Sequence, residues 1–268
     1  MKTVAYGGGT NSTAMLIGMH QRRERVDLIL FADTGGEMPH TYEYIKLLTD
    51  WLVAHDMPPI ITVRANRKDA TLEEECLRKK TLPSIAFGFK KCSLGWKVQP
   101  QEVFLNNNEE AKAIWKSGGL VTKCIGYDAD ESRRAKIAED GKYSYRYPLI
   151  EWGWGREECV DAIRSVGLPL PGKSACFFCP SSKKAEVRAL AIESPELLAR
   201  AVNMERAAKK NLTTVKGLGR HWSWEEIMIV KADDTRLEML MDAERDMPCG
   251  CYDGEAPTAA NPDPSKEA

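Results

Sequence analysis

The sequence predicts an α/β fold: a doubly wound, mostly parallel sheet with a helical C-terminal region. Three observations carry this. Short apolar runs alternate with amphipathic stretches through the first half, the pattern of a parallel sheet covered by helices. The first such run passes through three consecutive glycines in "VAYGGGTNSTAML" and straight into a second apolar stretch, as a strand enters a helix through a tight loop. The chain of 268 residues is also long enough to bury a sizeable core without cross-links.

The elements follow in order. Residues 3–6 read as strand 1, 13–23 as helix 1 and the buried run "VDLILFA" (26–32) as strand 2. Pro39 suits a first helical position and opens a helix to His55. "IITVR" (60–64) is strand 3, and Thr71 with Glu74 forms a capping box before a short helix. "KKCSLGWKVQP" reads as loop and turn, and Glu102 to Lys116 as helix. Val121 to Tyr127 is a fourth strand, "DADESRRAKIAED" a short helix and "YSYRYPLIEW" an extended stretch. Gly155 to Val166 is an amphipathic helix, and 168–182 is irregular around "CFFCP". Ser182 to Lys210 is helical, interrupted at Ser194, which can cap, and one or two helices fill 222–246. The Pro- and Ala-rich tail after Cys251 has the composition of a disordered segment.

Composition excludes several classes. Thirty-eight basic against 39 acidic residues leave a net charge of −1, unlike a protein built to coat nucleic acid. No run of 18 apolar residues predicts a membrane span. "MKTVAYGGG" reads as strand and loop rather than as a signal peptide, so a cytoplasmic location is expected. In a reducing compartment the eight cysteines are thiols, metal ligands or redox groups, not a disulfide framework.

A strand feeding a glycine loop and then a helix builds an anion site, because backbone amides approach phosphate oxygens at the helix's positive end. Tyr6, Gly7, Gly8, Gly9, Thr10, Asn11, Ser12 and Thr13 are the candidate binding residues. Asn11 or Ser12 serves equally well as a plain N-cap, but that reading leaves three glycines unexplained. The loop is not a Walker A motif, which needs a lysine. A dinucleotide fingerprint is a nearer competitor: Gly7 and Gly9 fill G-x-G, Ser12 stands where the third glycine belongs, and Asp33 ends strand 2 as a ribose-binding acid would. That alternative makes the chain an NAD(P)-dependent oxidoreductase.

The stretch "YGGGTNST" resembles the pyrophosphate loop S-G-G-x-D-S-[ST] of the N-type ATP pyrophosphatase superfamily. Gly8, Gly9, Ser12 and Thr13 match; Gly7 replaces the serine and Asn11 the aspartate. Further stretches resemble the phosphoadenosine phosphosulfate reductase-like branch. "FADTGGEMPHTYEYI" resembles its segment after strand 2, and "CSLGWKVQP" its C-x-x-x-x-K-x-x-P element through Cys92, Lys97 and Pro100. "GYDADES" resembles its G-x-R-x-x-E-S stretch through Gly126, Glu131 and Ser132, with Asp128 where arginine is expected. "YPLIEW" and "SACFFCP" resemble the end of that domain.

The resemblance covers residues 1–185 and implies an adenine-nucleotide alpha-hydrolase-like fold. It implies a nucleotide-binding domain over 1–185, followed by a helical region over 186–251 and a tail over 252–268. It also implies bound ATP or a sulfonucleotide (PAPS or APS), with Mg2+ beside it. The implied site comprises the glycine loop, Asp33, Thr34, Gly126, Glu131 and Arg133, with Asn11, Ser12 and Lys97 as catalytic groups. Lys90, Lys91, Lys97, Arg133, Arg134 and Lys136 supply cations of the kind phosphate or sulfate needs.

"CFFC" can grip one metal or cluster. By resemblance, Cys92 matches the first of a ligand pair and Ser93 replaces the second, so Cys124 is the candidate for the missing ligand. Cys92, Cys124, Cys176 and Cys179 then form a four-thiolate site for a [4Fe–4S] cluster, or alternatively for zinc. Cys76 and Cys159 read as core thiols. Cys249 in "PCGCYDG" is a nucleophile candidate, though the reductases' E-C-G-[IL]-H segment is absent. The tryptophans of "WGWG" and "HWSW" read as core packing rather than base-stacking platforms, and His221 as structural.

Two enzymatic readings follow: ATP-dependent, adenylating sulfur transfer, or sulfonucleotide reduction. The acceptor is a nucleotide or nucleic acid, and a thiol protein is a possible sulfur donor. A non-catalytic nucleotide-binding module with structural zinc is the third reading.

Overall fold

The computed structural model describes residues 1–229; Cys249, Cys251 and the tail lie outside the described residues. Five strands form one all-parallel sheet in the order β3-β2-β1-β4-β5. They are β1 (Lys2–Tyr6), β2 (Leu28–Asp33), β3 (Ile60–Arg64), β4 (Val121–Ile125) and β5 (Tyr143–Arg146). Parallel neighbours need helical crossovers, and these cover both sheet faces, the doubly wound arrangement.

Alternating side chains show the two faces directly. From β2, Ile29 and Phe31 enter one core with Val4, Tyr6 and Cys124. That core is closed by α1 (Thr10–Gln21), α2 (Pro39–Ala54) and, later in the chain, by Cys159, Ala162 and Ile163. Leu30 and Ala32 enter the opposite core with Val63, Val121, Leu105 and Ala111. Pro39 occupies the first turn of α2, as expected. In α3 (Leu72–Lys79) the Thr71 hydroxyl accepts from the Glu74 amide at 3.1 Å. Glu74 reaches back to the Ala70 amide at 2.8 Å, one residue before the cap.

The stretch expected as loop is helical instead. α4 (Lys91–Ser93), a π turn over Leu94–Val98 and α5 (Gln99–Asn107) run on without a break. Gly95 and Pro100 suggested a loop, but Pro100 falls in the first turn of α5, where a missing amide is tolerated. Tertiary contacts fix the π turn: Trp96 is fully buried with its indole donating to Glu75 at 2.6 Å, and Arg67 donates to the Gly95 carbonyl at 3.0 Å. The expected single helix 102–116 is divided at Asn108, whose side chain caps α6 (Glu109–Lys116) by accepting from the Ala111 amide at 3.0 Å.

Beyond β4 the chain makes a 3-10 turn (Ala129–Arg134), β5, a short α7 (Pro148–Glu151) and α8 (Arg156–Ser165). An irregular segment then leads to α9 (Lys184–Glu193) and α10 (Pro195–Ala208). Ser194 sits at the cap of α10 but makes no side-chain cap hydrogen bond. α9 and α10 share a third core with α3, Trp96, Phe177, Phe178 and Trp224. The tryptophans act as packing groups: Trp152 and Trp154 flank the Arg22 guanidinium, and Trp222 stacks on Trp224. No helix among the described residues is long and apolar enough to cross a membrane.

Gly126, just past β4, sets how closely the two halves of the sheet meet. A Cβ there would lie 3.1 Å from Ser12 N and Cα and 3.3 Å from Asn11 C, all backbone atoms that cannot swing aside. Gly126→Ala is expected to destabilise the protein by about 1–3 kcal/mol, read as a lower urea midpoint; an unchanged midpoint would show that β4 and α1 separate at no cost.

Candidate functional site

β1 ends at Tyr6 and α1 begins at Thr10, so Gly7, Gly8 and Gly9 make the entire turn. Gly8 has φ +80°, a left-handed conformation that suits glycine. Ser12 latches the turn: its hydroxyl accepts from the Gly7 amide at 3.2 Å and donates to the Gly9 carbonyl at 3.1 Å. Ser174 buttresses it from outside by donating to the Gly7 carbonyl. Gly9 is the N-cap of α1, no side chain caps the first turn, and that turn carries no acidic residue. The positive end of α1 is therefore met by neither a side-chain cap nor a first-turn carboxylate.

That end opens into a cleft of about 880 Å³, counting the solvent in its mouth. Gly7, Gly9, Thr10, Asn11 and Ser12 form one wall, Gly126 and Tyr127 another, and residues 171–174 a third. The sheet winds from β1 to β2 on one side and has β4 on the other. The cleft thus lies at the carboxyl ends of β1 and β4, where the strand order reverses, the place where open α/β sheets bind ligands. Three cations line it, Arg134, Arg156 and Lys173, against one carboxylate, Glu131.

The two positions where the loop and strand-4 motifs depart from the family they resemble touch each other. Asn11 Nδ2 donates to Asp128 Oδ2 at 2.8 Å and, at 3.4 Å, to Glu131 Oε2. Asp128 is buried and also caps the 3-10 turn, accepting from the Glu131 amide at 3.0 Å. An amide at position 11 suits a carboxylate at 128; an aspartate at both would place two negative charges in contact.

Other candidate residues lie elsewhere. Tyr6 and Thr13 face the core, hydroxyl to hydroxyl at 3.2 Å, and burial pushes the Tyr6 phenol upward. Gly8 is covered by Ser174 and Thr41. Arg133 is exposed, and its neighbour Arg134 lines the cleft, paired with Glu131. Asp33 is buried and fully engaged: Gly35 N–H at 2.7 Å and Tyr42 OH at 2.8 Å on one oxygen, Arg64 Nε and Nη2 at 3.0 and 2.7 Å on the other. A ribose would have to displace these partners, and Asp33 lines neither cavity, which removes the acid both from the dinucleotide reading and from the nucleotide site implied by the resemblance.

Thr34 and Lys97 line a second, smaller cavity with Cys92, Cys176 and Cys179. Lys97 Nζ pairs with Glu37 Oε1 at 3.1 Å, both side chains being largely buried. Burial alone would lower the Lys97 ammonium, but Glu37, then Cys176, outweigh it and hold the group above the ordinary lysine value. Thr34 lies 3.2 Å from Cys176 Sγ and donates to Glu37 at 3.1 Å. Burial, then Glu37, raise the Cys176 thiol well above its ordinary value against the pull of Lys97, and burial raises Cys179.

Cys124 is not brought to these thiols. It is the penultimate residue of β4, opposite Val4, and its side chain enters the first core, where burial pushes it up to about 12. Three of the four proposed metal ligands therefore share a cavity. Among the described residues, no group of three or more histidines, cysteines or acids is placed to hold a metal ion.

Arg156, Lys173 and Glu37 were missed in the sequence. Arg156 opens an amphipathic helix and Lys173 sits in an irregular segment, so neither stands in a motif. Glu37 was inside a quoted stretch but carried no spacing signal. No protein-family model and no curated protein matches the sequence.

Asn11→Asp is expected to destabilise the protein by about 2 kcal/mol near neutral pH, since a carboxylate pair raises the pKa of one member and each unit is about 1.4 kcal/mol. The folded value then exceeds the unfolded one, so the deficit is full above the folded pKa. It shrinks as pH falls through that value and vanishes below about 4. Denaturant titrations from pH 8 to 4 read this; a deficit independent of pH would refute it.

Proposed function

We propose that the chain is an adenine-nucleotide-binding enzyme of sulfur chemistry, of the phosphoadenosine phosphosulfate reductase and ATP pyrophosphatase type. One observation carries the reading: an uncapped helix start behind three glycines opens into a cation-lined cleft at the switch point of a parallel sheet. The loop amides and the cleft cations receive the phosphates. They offset the negative charge that builds on the leaving pyrophosphate when an acceptor attacks the α-phosphorus and the bond to the β-phosphate oxygen breaks. This version uses only groups around the cleft. Sulfonucleotide reduction needs a thiolate to attack the sulfur, and its candidates, Cys249 and Cys251, lie outside the described residues. A nucleotide or nucleic acid is the acceptor class, with a thiol protein as sulfur donor and Mg2+ as the accompanying ion. The engaged Asp33 leaves the NAD(P) alternative without its ribose acid and this reading without that contact.

Cys92, Cys176 and Cys179 are the thiol donors for a cluster or zinc ion. As three they fall short of the four-thiolate set.

Calorimetric titration with ATP, a sulfonucleotide and NAD, followed by a pyrophosphate-release assay, tests the reading. Binding of ATP or the sulfonucleotide but not of NAD is expected; preference for NAD, or no nucleotide binding at all, would sink it. Anaerobic purification with iron, sulfide and zinc counts tests the thiols. Cys92→Ser and Cys176→Ser are expected to lower the metal content and Cys124→Ser to leave it unchanged. Loss of metal only in Cys124→Ser would reverse that assignment, and bound zinc without turnover would favour the non-catalytic module.

A further inference from the structure

The three cations of the cleft differ in what already holds them. Arg134 is paired with Glu131. Lys173 Nζ lies 2.6 and 2.7 Å from the two oxygens of Glu186. Arg156 makes no ion pair among the described residues. Its guanidinium reaches only the side-chain oxygen of Asn11, at a long 3.4 Å. A half-buried guanidinium with so little compensation is poised for an anion of its own.

Its position is fixed from below. Arg156 is the first residue of α8, which packs on α1 in the first core through Cys159, Ala162 and Ile163. The helix start itself is occupied, since Glu158 accepts from the Gly155 amide at 2.8 Å and Asp130 lies 3.4 Å from the Arg156 amide. The side chain, not the end of α8, therefore faces the cleft. It lines the cleft beside the first turn of α1.

Resting on the nucleotide reading of this cleft, we infer that Arg156 is the residue that grips the phosphoanhydride portion of the ligand, two adjacent phosphoryl groups, together with the loop amides. A planar fork bonds two phosphate oxygens at once, which a lysine in its place cannot. The loop supplies backbone amides and Arg156 a two-pronged guanidinium. Selectivity for a diphosphate over a single phosphate follows, because one phosphate leaves part of this donor set unused.

Isothermal titration of the full chain with ATP, AMP and inorganic pyrophosphate tests this. Arg156→Ala is expected to weaken ATP and pyrophosphate binding by about 10- to 100-fold and to leave AMP binding unchanged. Arg156→Lys should fall between, because it keeps the charge and loses the fork. The thermal midpoint should stay level, since no ion pair is removed; Arg156→Gln reads the same site if alanine loosens the helix start. Wild-type affinity for pyrophosphate in the alanine and glutamine variants overturns the role of Arg156 alone. A wild-type chain that binds neither ATP nor pyrophosphate overturns it together with the nucleotide reading.

Discussion

The close approach of α1 to the end of β4 is the constraint on which the rest depends. β1 and β4 are hydrogen-bonded neighbours, with Ala5 opposite Ile125, yet the chain leaves β1 for one side of the sheet and reaches β4 from the other. A gap opens where they part. The first turn of α1 fills it only because position 126 has no side chain and the turn before α1 is glycine throughout. The helix dipole is thereby aimed along the gap and into the cleft. A bulkier residue at 126 would lift α1 off the strands and close that line.

With the helix in place, the charges around it form one set. The resembled motifs would place a carboxylate at 11 and an arginine at 128. Here an amide stands at 11 and a carboxylate at 128, and the two are hydrogen-bonded. The buried Asp128 takes up the Asn11 amide and the backbone of the 3-10 turn, so it is compensated without a cation. Positive charge reaches the cleft from neighbouring elements instead, from Arg134 at the end of that turn and Arg156 at the start of α8. Asn11 and Asp128 are thus intelligible as a hydrogen-bonded pair.

What the sequence disclosed follows from which forces are local. β3 was read to the residue and β1 to within one, because short buried apolar runs bounded by turn residues leave little choice. The glycine loop and the first turn of α2 were legible for the same reason. The helical stretch 91–107 was not, since Gly95 and Pro100 are loop formers locally and only the burial of Trp96 and the reach of Arg67 override them. Site residues divide the same way. Gly7, Gly9 and Asn11 belong to one contiguous loop and were found. Arg156 arrives from 145 residues away in sequence, and nothing in its neighbourhood announces it. Cys124 joins the other thiols in the sequence reading through its place in an expected strand near the ligand end of the sheet, but strand alternation turns its side chain into the first core.

The two cavities are walled by one short segment. Residues 171–174 line the cleft, and Cys176, Phe178, Cys179 and Pro180 line the thiol cavity. Ser174 holds the Gly7 carbonyl, while Cys176 is bridged to Glu37 and the Phe177 amide donates to the Gly36 carbonyl at 2.8 Å. The two walls are thus parts of one continuous stretch of chain. The chemistry on the two sides is nonetheless distinct. Burial, then the Glu37 carboxylate, push the Cys176 thiol upward, and a thiol shifted that way is a poorer nucleophile than an ordinary one. The segment therefore joins a cation-lined cleft to a set of buried, weakly nucleophilic thiols.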